Sequence, residues 1–459
     1  MFLTLGMICL IFAGCATYQA KPLKPAAFET QFYARSLMNV NLKKFIARQP
    51  IKLHPGFPQV QNLSTLVAAG WYYSPALRVQ LAQLDVDAAN MITASQSPNP
   101  TVALSPTYAT NVAPGINPWI LGFNFTIPIE TAGRREDRMA QAKALTQAGR
   151  YDLGQIAWNV RQAVRQALIH YSFAHRQVRL LRQQAHNTAM ILSLIQSRFQ
   201  AGGISRPVYT AAEIQAHQAV LALVAAQGQV RQSRIQLAAA ISLPARALRN
   251  VKFTYSQLMT TPPVRKLNMK QLSRAALLNR MDIQSLLAQY QAAEAALKLQ
   301  IARQYPNIDI GPGYKFNQGA NEFTLGFAMA LPIFNQNQGA IAAANAQRLV
   351  IAAELEQKQT TVITQIRSVL SYYRSALRQL RTADAIEIQA RTQLRATRSA
   401  FKAGAQSRLA LSEAQLTLNT FAQAALQARI SAVVALENLE DILEAPLGDA
   451  PKMPKGTNP

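Results

Sequence analysis

Two segments about 200 residues apart carry the same landmarks in the same order, so the chain is built from one unit used twice. In the first copy Ser97-Pro98-Asn99-Pro100 leads into a strand that is followed by Thr126-Ile127-Pro128-Ile129. In the second, Tyr305-Pro306-Asn307-Ile308 leads into a strand followed by Ala330-Leu331-Pro332-Ile333. Further on, Ser197-Arg198-Phe199-Gln200-Ala201-Gly202 matches Ser399-Ala400-Phe401-Lys402-Ala403-Gly404, with Ser205-Arg206 and Ser407-Arg408 close behind.

The strands between these landmarks alternate. Val102, Leu104 and Tyr108 fall on one side, opposite Thr101, Ala103, Ser105 and Thr107, because successive strand side chains point to opposite faces. Trp119, Leu121, Phe123, Phe125 and Ile127 oppose Gly122, Asn124 and Thr126. The second copy sets Ile308, Ile310, Tyr314 and Phe316 against Asp309, Gly311, Gly313 and Lys315, then Phe323, Leu325, Phe327, Met329 and Leu331 against small residues and Thr324. Each run has the roughly 10 residues a tilted strand needs to cross a bilayer. One such strand also suits a half-buried sheet in a soluble domain; four with an aromatic-rich apolar face predict a membrane sheet. Open edges leave backbone groups without partners in lipid, so four strands must close with strands of other chains: eight in a dimer or twelve in a trimer.

Long helices are the second constraint. Residues 340–403 contain neither Gly nor Pro, and as one helix they run roughly 96 Å. Residues 134–201 match them, interrupted only by Gly149 and Gly154. The return helices expected at 208–243 and 405–443 are too short to retrace the long ones. Helices expected at 63–95 and 272–304 supply the missing length by stacking end to end on them. The Ala- and Gln-rich faces suit coiled-coil packing, and residues 244–270, with Pro262-Pro263, read as an equatorial linker.

Residues 1–14 are apolar, too short to span a bilayer, and end in Ile11-Phe12-Ala13-Gly14-Cys15. This resembles a bacterial lipoprotein signal in which Cys15 becomes the lipidated first residue. Phe12 stands where Leu is usual, and no basic residue precedes the apolar run, which points to a start site further upstream. Cys9 is lost with such a signal, leaving no disulfide pair.

The sequence of helix, two strands, long helix and return helix resembles the TolC-like outer-membrane efflux factors over residues 63–443. Asn99-Pro100 and Pro306-Asn307 are similar to that family's strand starts. Leu331-Pro332-Ile333-Phe334-Asn335-Gln336-Asn337-Gln338-Gly339 is similar to its strand-to-helix junction, especially in the branch serving heavy-metal efflux pumps. Ile127-Pro128-Ile129-Glu130-Thr131-Ala132-Gly133 is the first-copy counterpart. The resemblance implies a mainly α fold with a small transmembrane β part, in which a homotrimeric twelve-stranded β-barrel sits on an α-helical periplasmic tunnel. The implied division is a signal peptide (1–14), a lipidated extended segment (15–62), two repeats (63–243 and 271–445) around the linker, and a tail (446–459). Trp119, Leu121, Phe123, Phe125, Phe323, Leu325 and Phe327 are then the lipid-facing side chains. Phe199, Gly202, Ser205, Phe401, Gly404 and Ser407 are the tip positions where a periplasmic adaptor docks, the two phenylalanines equally suiting a role in packing the turn. An inner-membrane pump of the RND type completes the implied assembly, which sits in the bacterial outer membrane on a lipid anchor and extends into the periplasm.

Such a protein conducts rather than catalyses, and the residue inventory agrees. His54, His170, His175, His186 and His217 form no metal-ligand pattern, and no phosphate loop or nucleophile elbow is present. No cofactor or resident metal is expected. The formal net charge of +25 raises nucleic-acid binding, but the arginines are spread along the helices rather than clustered. Two readings of the charge stay open: scarce carboxylates suited to an acidic periplasm, or a basic lumen that favours anionic cargo. Two functions also stay open, a conduit for small substrates or exported polypeptides and a non-conducting periplasmic coiled-coil tether. The aromatic strand faces favour the conduit.

Overall fold

The computed structural model describes residues 17–49, 57–255, 258, 261 and 268–447. Cys9, Cys15, His54 and Pro262-Pro263 lie outside them. Two short helices, α1 (Pro25–Tyr33) and α2 (Val40–Ala47), occupy the amino-terminal segment that was expected to be extended. Asn39 caps α2 through its side-chain oxygen, and Leu42 and Ile46 bury completely, which gives an eight-residue helix the tertiary support it needs.

The first repeat comprises α3 (Leu63–Tyr73), α4 (Pro75–Ser95), β2 (Thr101–Tyr108), β3 (Trp119–Ile129), α5 (Arg134–Gln200) and α6 (Arg206–Ala240). The second comprises α7 (Met269–Asn279), α8 (Met281–Ala302), β5 (Ile308–Asn317), β6 (Ala320–Met329), α9 (Gln338–Lys402) and α10 (Arg408–Leu443). Between them, β4 (Lys252–Phe253) pairs in parallel with β1 (Val60–Gln61), tying the inter-repeat segment to the residues just ahead of the first repeat.

Each helix expected ahead of the strands is two helices. In the first copy Pro75 drives Ser74 into the extended region, and Ser74 both ends α3 and caps α4 with its hydroxyl. In the second copy there is no proline. Arg280 is extended (ψ 132°) because its guanidinium pairs with Asp282 at 2.6 Å and Glu444 at 3.3 Å. Gly149 and Gly154 do not interrupt α5. A Cβ at Gly149 would lie 2.8 Å from Asp87 Oδ2, and one at Gly154 3.2 Å from Met281 Sδ, so these glycines let α4 and α8 approach closely.

The end-to-end stacking is present. The backbone N–H of Met281, at the start of α8, donates to the carboxylate of Glu444 just past α10 (2.7 Å). At the equivalent level α3 presses on the long helix, where a Cβ on Gly70 would meet Val160 and Val164 at 3.1 and 3.2 Å, with Ala240 O of α6 at 3.9 Å. At 67 and 65 residues, α5 and α9 each run about 100 Å past such a stack. α5 packs against α3, α4 and α6 on one side and α8 and α10 on the other, while α9 packs on α7, α8 and α10. The wall therefore ends at α4 and α6 on one edge and at α9 on the other.

Two apolar cores sit where the short helices meet. One gathers Leu66, Leu168, Ile169, Leu237 and Ile241, and the other Ile283, Ile366, Tyr373, Leu436 and Leu439. Among the described residues, no helix is long and apolar enough to cross a membrane.

Candidate functional site

All four repeat strands join one antiparallel sheet in the order β2-β3-β5-β6, leaving β2 and β6 as open edges. Register carries one apolar row across the whole sheet: Leu104 opposes Phe123, Phe123 opposes Tyr314, and Tyr314 opposes Phe323. Neighbouring rows set Pro106, Leu121 and Phe316, or Ile127, Ile310 and Phe327, on that same face. Aromatic contacts run along it, with Tyr108 edge-on to Trp119 at 5.1 Å, and Phe123 and Phe323 at 5.8 and 5.4 Å from Tyr314. None of the described residues covers this face: Phe323 is 82% and Phe327 69% exposed. Trp119, Leu121, Phe123, Leu325 and the half-covered Phe125 share it.

The opposite face is small and crowded. A Cβ on Gly313 would lie 2.7 Å from Thr324 Oγ1 and 3.3 Å from Phe123 O, and one on Gly122 2.9 Å from Ser105 Oγ. Small residues hold this face where the strands approach most closely, with the Lys315 and Glu322 pair nearer the hairpin, while the other face carries rings. The hairpin between β5 and β6 turns through Gln318 and Gly319 alone, both at positive φ (55° and 109°), the geometry of a two-residue primed turn that fixes this register.

Arg134 clamps the sheet to the helices. Its guanidinium donates to Asn307 Oδ1 (2.8 Å), to the carbonyls of Ala302 and Arg303 (both 3.3 Å) and to that of Tyr305. The first repeat's strand-to-helix junction is thus bolted onto the second repeat's helix-to-strand junction. Within the second repeat Asn337 Nδ2 donates to Gln300 O (2.7 Å), holding that repeat's own strand-to-helix junction on α8, and Glu130 pairs with Arg138.

At the far end Gly202 and Gly404 both take positive φ (73° and 75°), and the N–H groups of Gly203 and Ala405 just after them reach back to Arg198 O and Ala400 O at 2.8 Å. These are the bonds of a glycine-ended helix. The turns differ in their side chains. Phe199 stacks on Tyr209 (5.1 Å, 11° between planes) with the Arg206 guanidinium over both rings, so Phe199 packs its turn. Ser407 caps α10 by accepting from Ala410 N (3.1 Å), whereas Ser205 makes no such cap and Phe401 is half-buried without a ring partner among the described residues.

Sequence reasoning missed a buried ionic cluster where α5 crosses α10 at the level of the two cores. Arg165 pairs with Glu440, Trp158 Nε1 donates to Asp441 (3.0 Å), and the Arg161 guanidinium lies over the Trp158 ring at 4.6 Å. Glu437 is 4% exposed, and neither of its carboxylate oxygens has a hydrogen-bond partner. Burial pushes its carboxyl up to about 7, against the opposing pull of Arg165 and Arg161, whose guanidinium groups burial lowers to about 10. Beside it a cavity of about 340 Å³ is lined by Arg280, Asp282, Lys358, Asp441 and Glu444. Among the described residues no group of His, Cys, Asp and Glu is arranged to hold a metal.

The geometry defines a class: a two-repeat protein of helical hairpins carrying a membrane-type β-sheet. Residues 73–242 and 272–444 match the family described as "Outer membrane efflux protein", one match per repeat, and the chain belongs to that family. It is 26% identical over 215 residues to the cobalt-zinc-cadmium resistance protein CzcC of Cupriavidus metallidurans, a match spanning 46% of this chain and half of that relative's length. It is 24% identical over 355 residues to the pyoverdine export outer membrane protein OpmQ of Pseudomonas aeruginosa, covering 72% of this chain and 71% of that one. The crystal structure of CusC superposes with a TM-score of 0.66 at 17% identity over 83% of this chain and 91% of that chain, which establishes the fold.

Proposed function

We propose that three copies close edge to edge, β6 of one against β2 of the next, into a twelve-stranded outer-membrane barrel continued by a helical tunnel through the periplasm. The carrying observation is the sheet itself: a continuous, uncovered aromatic face and two unpaired edges on top of helices about 100 Å long. In lipid such edges must pair. The wall's side edges suit the same closure, since exposed Val220, Leu221 and Val224 on α6 and Tyr372 and Ile386 on α9 give neighbouring copies apolar surface to bury.

The work is passive conduction. An inner-membrane pump of the RND type supplies energy, an adaptor grips the turns at Gly202 and Gly404, and the trimer carries small solutes outward from a membrane-anchored position, with Cys15 as the lipid attachment. The names of CzcC and OpmQ concern metals and a small exported compound, which favours metal ions or drugs over polypeptides as cargo. The test is planar-bilayer conductance of the detergent-extracted protein with its mass measured in parallel. Stable channels from a species of three chains support the proposal; a non-conducting monomer refutes it.

A further inference from the structure

The positive charge of this chain is organised in a way that the conduit reading leaves unused. Between Asp152 and Asp282 the sole carboxylate is Glu213, and every other charged side chain in that stretch is Lys, Arg or His. The stretch includes the part of α5 that runs to the tip and all of α6. On α9 the basic residues fall into line. Arg367, Arg374, Arg381, Arg395 and Lys402 occupy one position of a seven-residue repeat, with Ile388 as the single interruption. Each directly follows a position of the α9 seam that faces its own protomer, where Ile366, Tyr373, Leu380 and Leu394 are buried. A seven-residue period keeps one side of a supercoiled helix facing one way. The five cations therefore form a single rail roughly 52 Å long that ends at the tip.

All five are exposed in the protomer, and among the described residues none forms an ion pair. The two carboxylates on this part of α9 are already engaged elsewhere, Glu387 with Arg391 (2.6 Å) and Asp384 with Arg429 (3.0 Å). The rail belongs to the second repeat. Counting back from Phe401 to Phe199, its first-repeat counterparts are Arg165, Ser172, Arg179, His186, Ser193 and Gln200, of which Arg165 is buried in the ionic cluster.

Resting on the conduit reading, we infer that the rail lines the tip half of the tunnel and selects anions, so that the cargo is small solutes carrying net negative charge. They are solutes bearing carboxylate, phosphate or similar groups, with metals carried only inside anionic complexes. Three copies would place fifteen such cations around one narrow aqueous path. Charges of one sign along a low-dielectric wall focus the field and concentrate counter-ions, and rings of Arg and Lys are how pores choose anions. The lumen is the place where an unneutralised row of this length does such work.

The experiment is the reversal potential of single channels in a KCl gradient, for the full-length trimer and for R374E/R381E/R395E, with R374Q/R381Q/R395Q as the milder variant should charge reversal prevent assembly. The expected result is a several-fold chloride preference in the unaltered protein, reduced by the Gln variant and inverted by the Glu variant. Channels that prefer potassium overturn the anionic cargo and leave the conduit standing. Chloride preference unchanged in assembled rail variants also overturns it, placing the rail on the outer surface toward a partner. A protein that never conducts overturns the conduit, and this inference falls with it.

Discussion

Glu437 offers the sharpest test of the buried cluster. Its carboxyl holds a proton to about 7 in the fold, against an ordinary value of 4.5, because burial penalises the charge more than Arg165 and Arg161 repay. A raised carboxylate means that the folded protein takes up a proton between those two values. The stability this confers is complete below about 4.5 and is lost as the pH rises through about 7. A shift of this size corresponds to about 3 kcal/mol at alkaline pH. The substitution E437Q keeps the shape and removes the titration. Any fixed penalty from burying the amide is the same at every pH, so it cancels when variant and unaltered protein are compared at two pH values. The difference in stability should move by about 3 kcal/mol per protomer in the variant's favour between buffer below about pH 4.5 and alkaline buffer. Far-UV circular dichroism of the detergent-extracted protein, followed through denaturant at each pH, reads that difference. A difference that stays flat, or moves the other way, would show that Glu437 is ionised and productively paired with the two arginines, and the account of the cluster would be wrong.

Three further outcomes follow from the sheet and its clamp. R134A removes a cation shared among three backbone carbonyls and Asn307, and at about 1.5–3 kcal/mol for a hydrogen bond to a charged group the assembled form should dissociate at lower temperature on a semi-native gel; dissociation unchanged from the parent protein would deny the clamp. G313V should block barrel assembly because its Cβ starts 2.7 Å from Thr324 Oγ1, and an assembled G313V trimer would mean that this face is not crowded. F323K should lower the amount of outer-membrane trimer, by a cost of about 2–4 kcal/mol if the ring sits near the bilayer midplane, while F323L is tolerated. Equal yields of the two would place that face out of lipid.

The sheet was legible because its constraint is local. A pleat alternates every second residue, and the need for rings on one side and little room on the other leaves that alternation in Phe323, Leu325 and Phe327 against Thr324, Gly326 and Ala328. Helix lengths were legible for a similar reason, since the absence of Gly and Pro is readable residue by residue. The break at Arg280 was not, because besides its neighbour Asp282 the guanidinium is held by Glu444 and the Ile442 carbonyl, at a helix end far away in sequence. The glycines of α5 misled in the other direction. A helix interior tolerates Gly where a neighbour must come close, and only the positions of Asp87 and Met281 reveal that.

The ionic cluster was hidden by its own spacing. Arg161 and Arg165, four apart, read as a solvated helix face, as do Glu437, Glu440 and Asp441, until α5 and α10 are laid together. The one local hint was their neighbourhood, for Val164 and Leu168 are fully buried on the same stretch of α5. Both helix breaks, both cores and the cluster lie at one level of the wall, which leaves the segments beyond it joined mainly by Ala-rich hairpin seams. Packing and buried charge fix the middle of the wall and the Arg134 clamp fixes its junction with the sheet, so the hairpins that run to the tips are the part held mainly by small-residue seams.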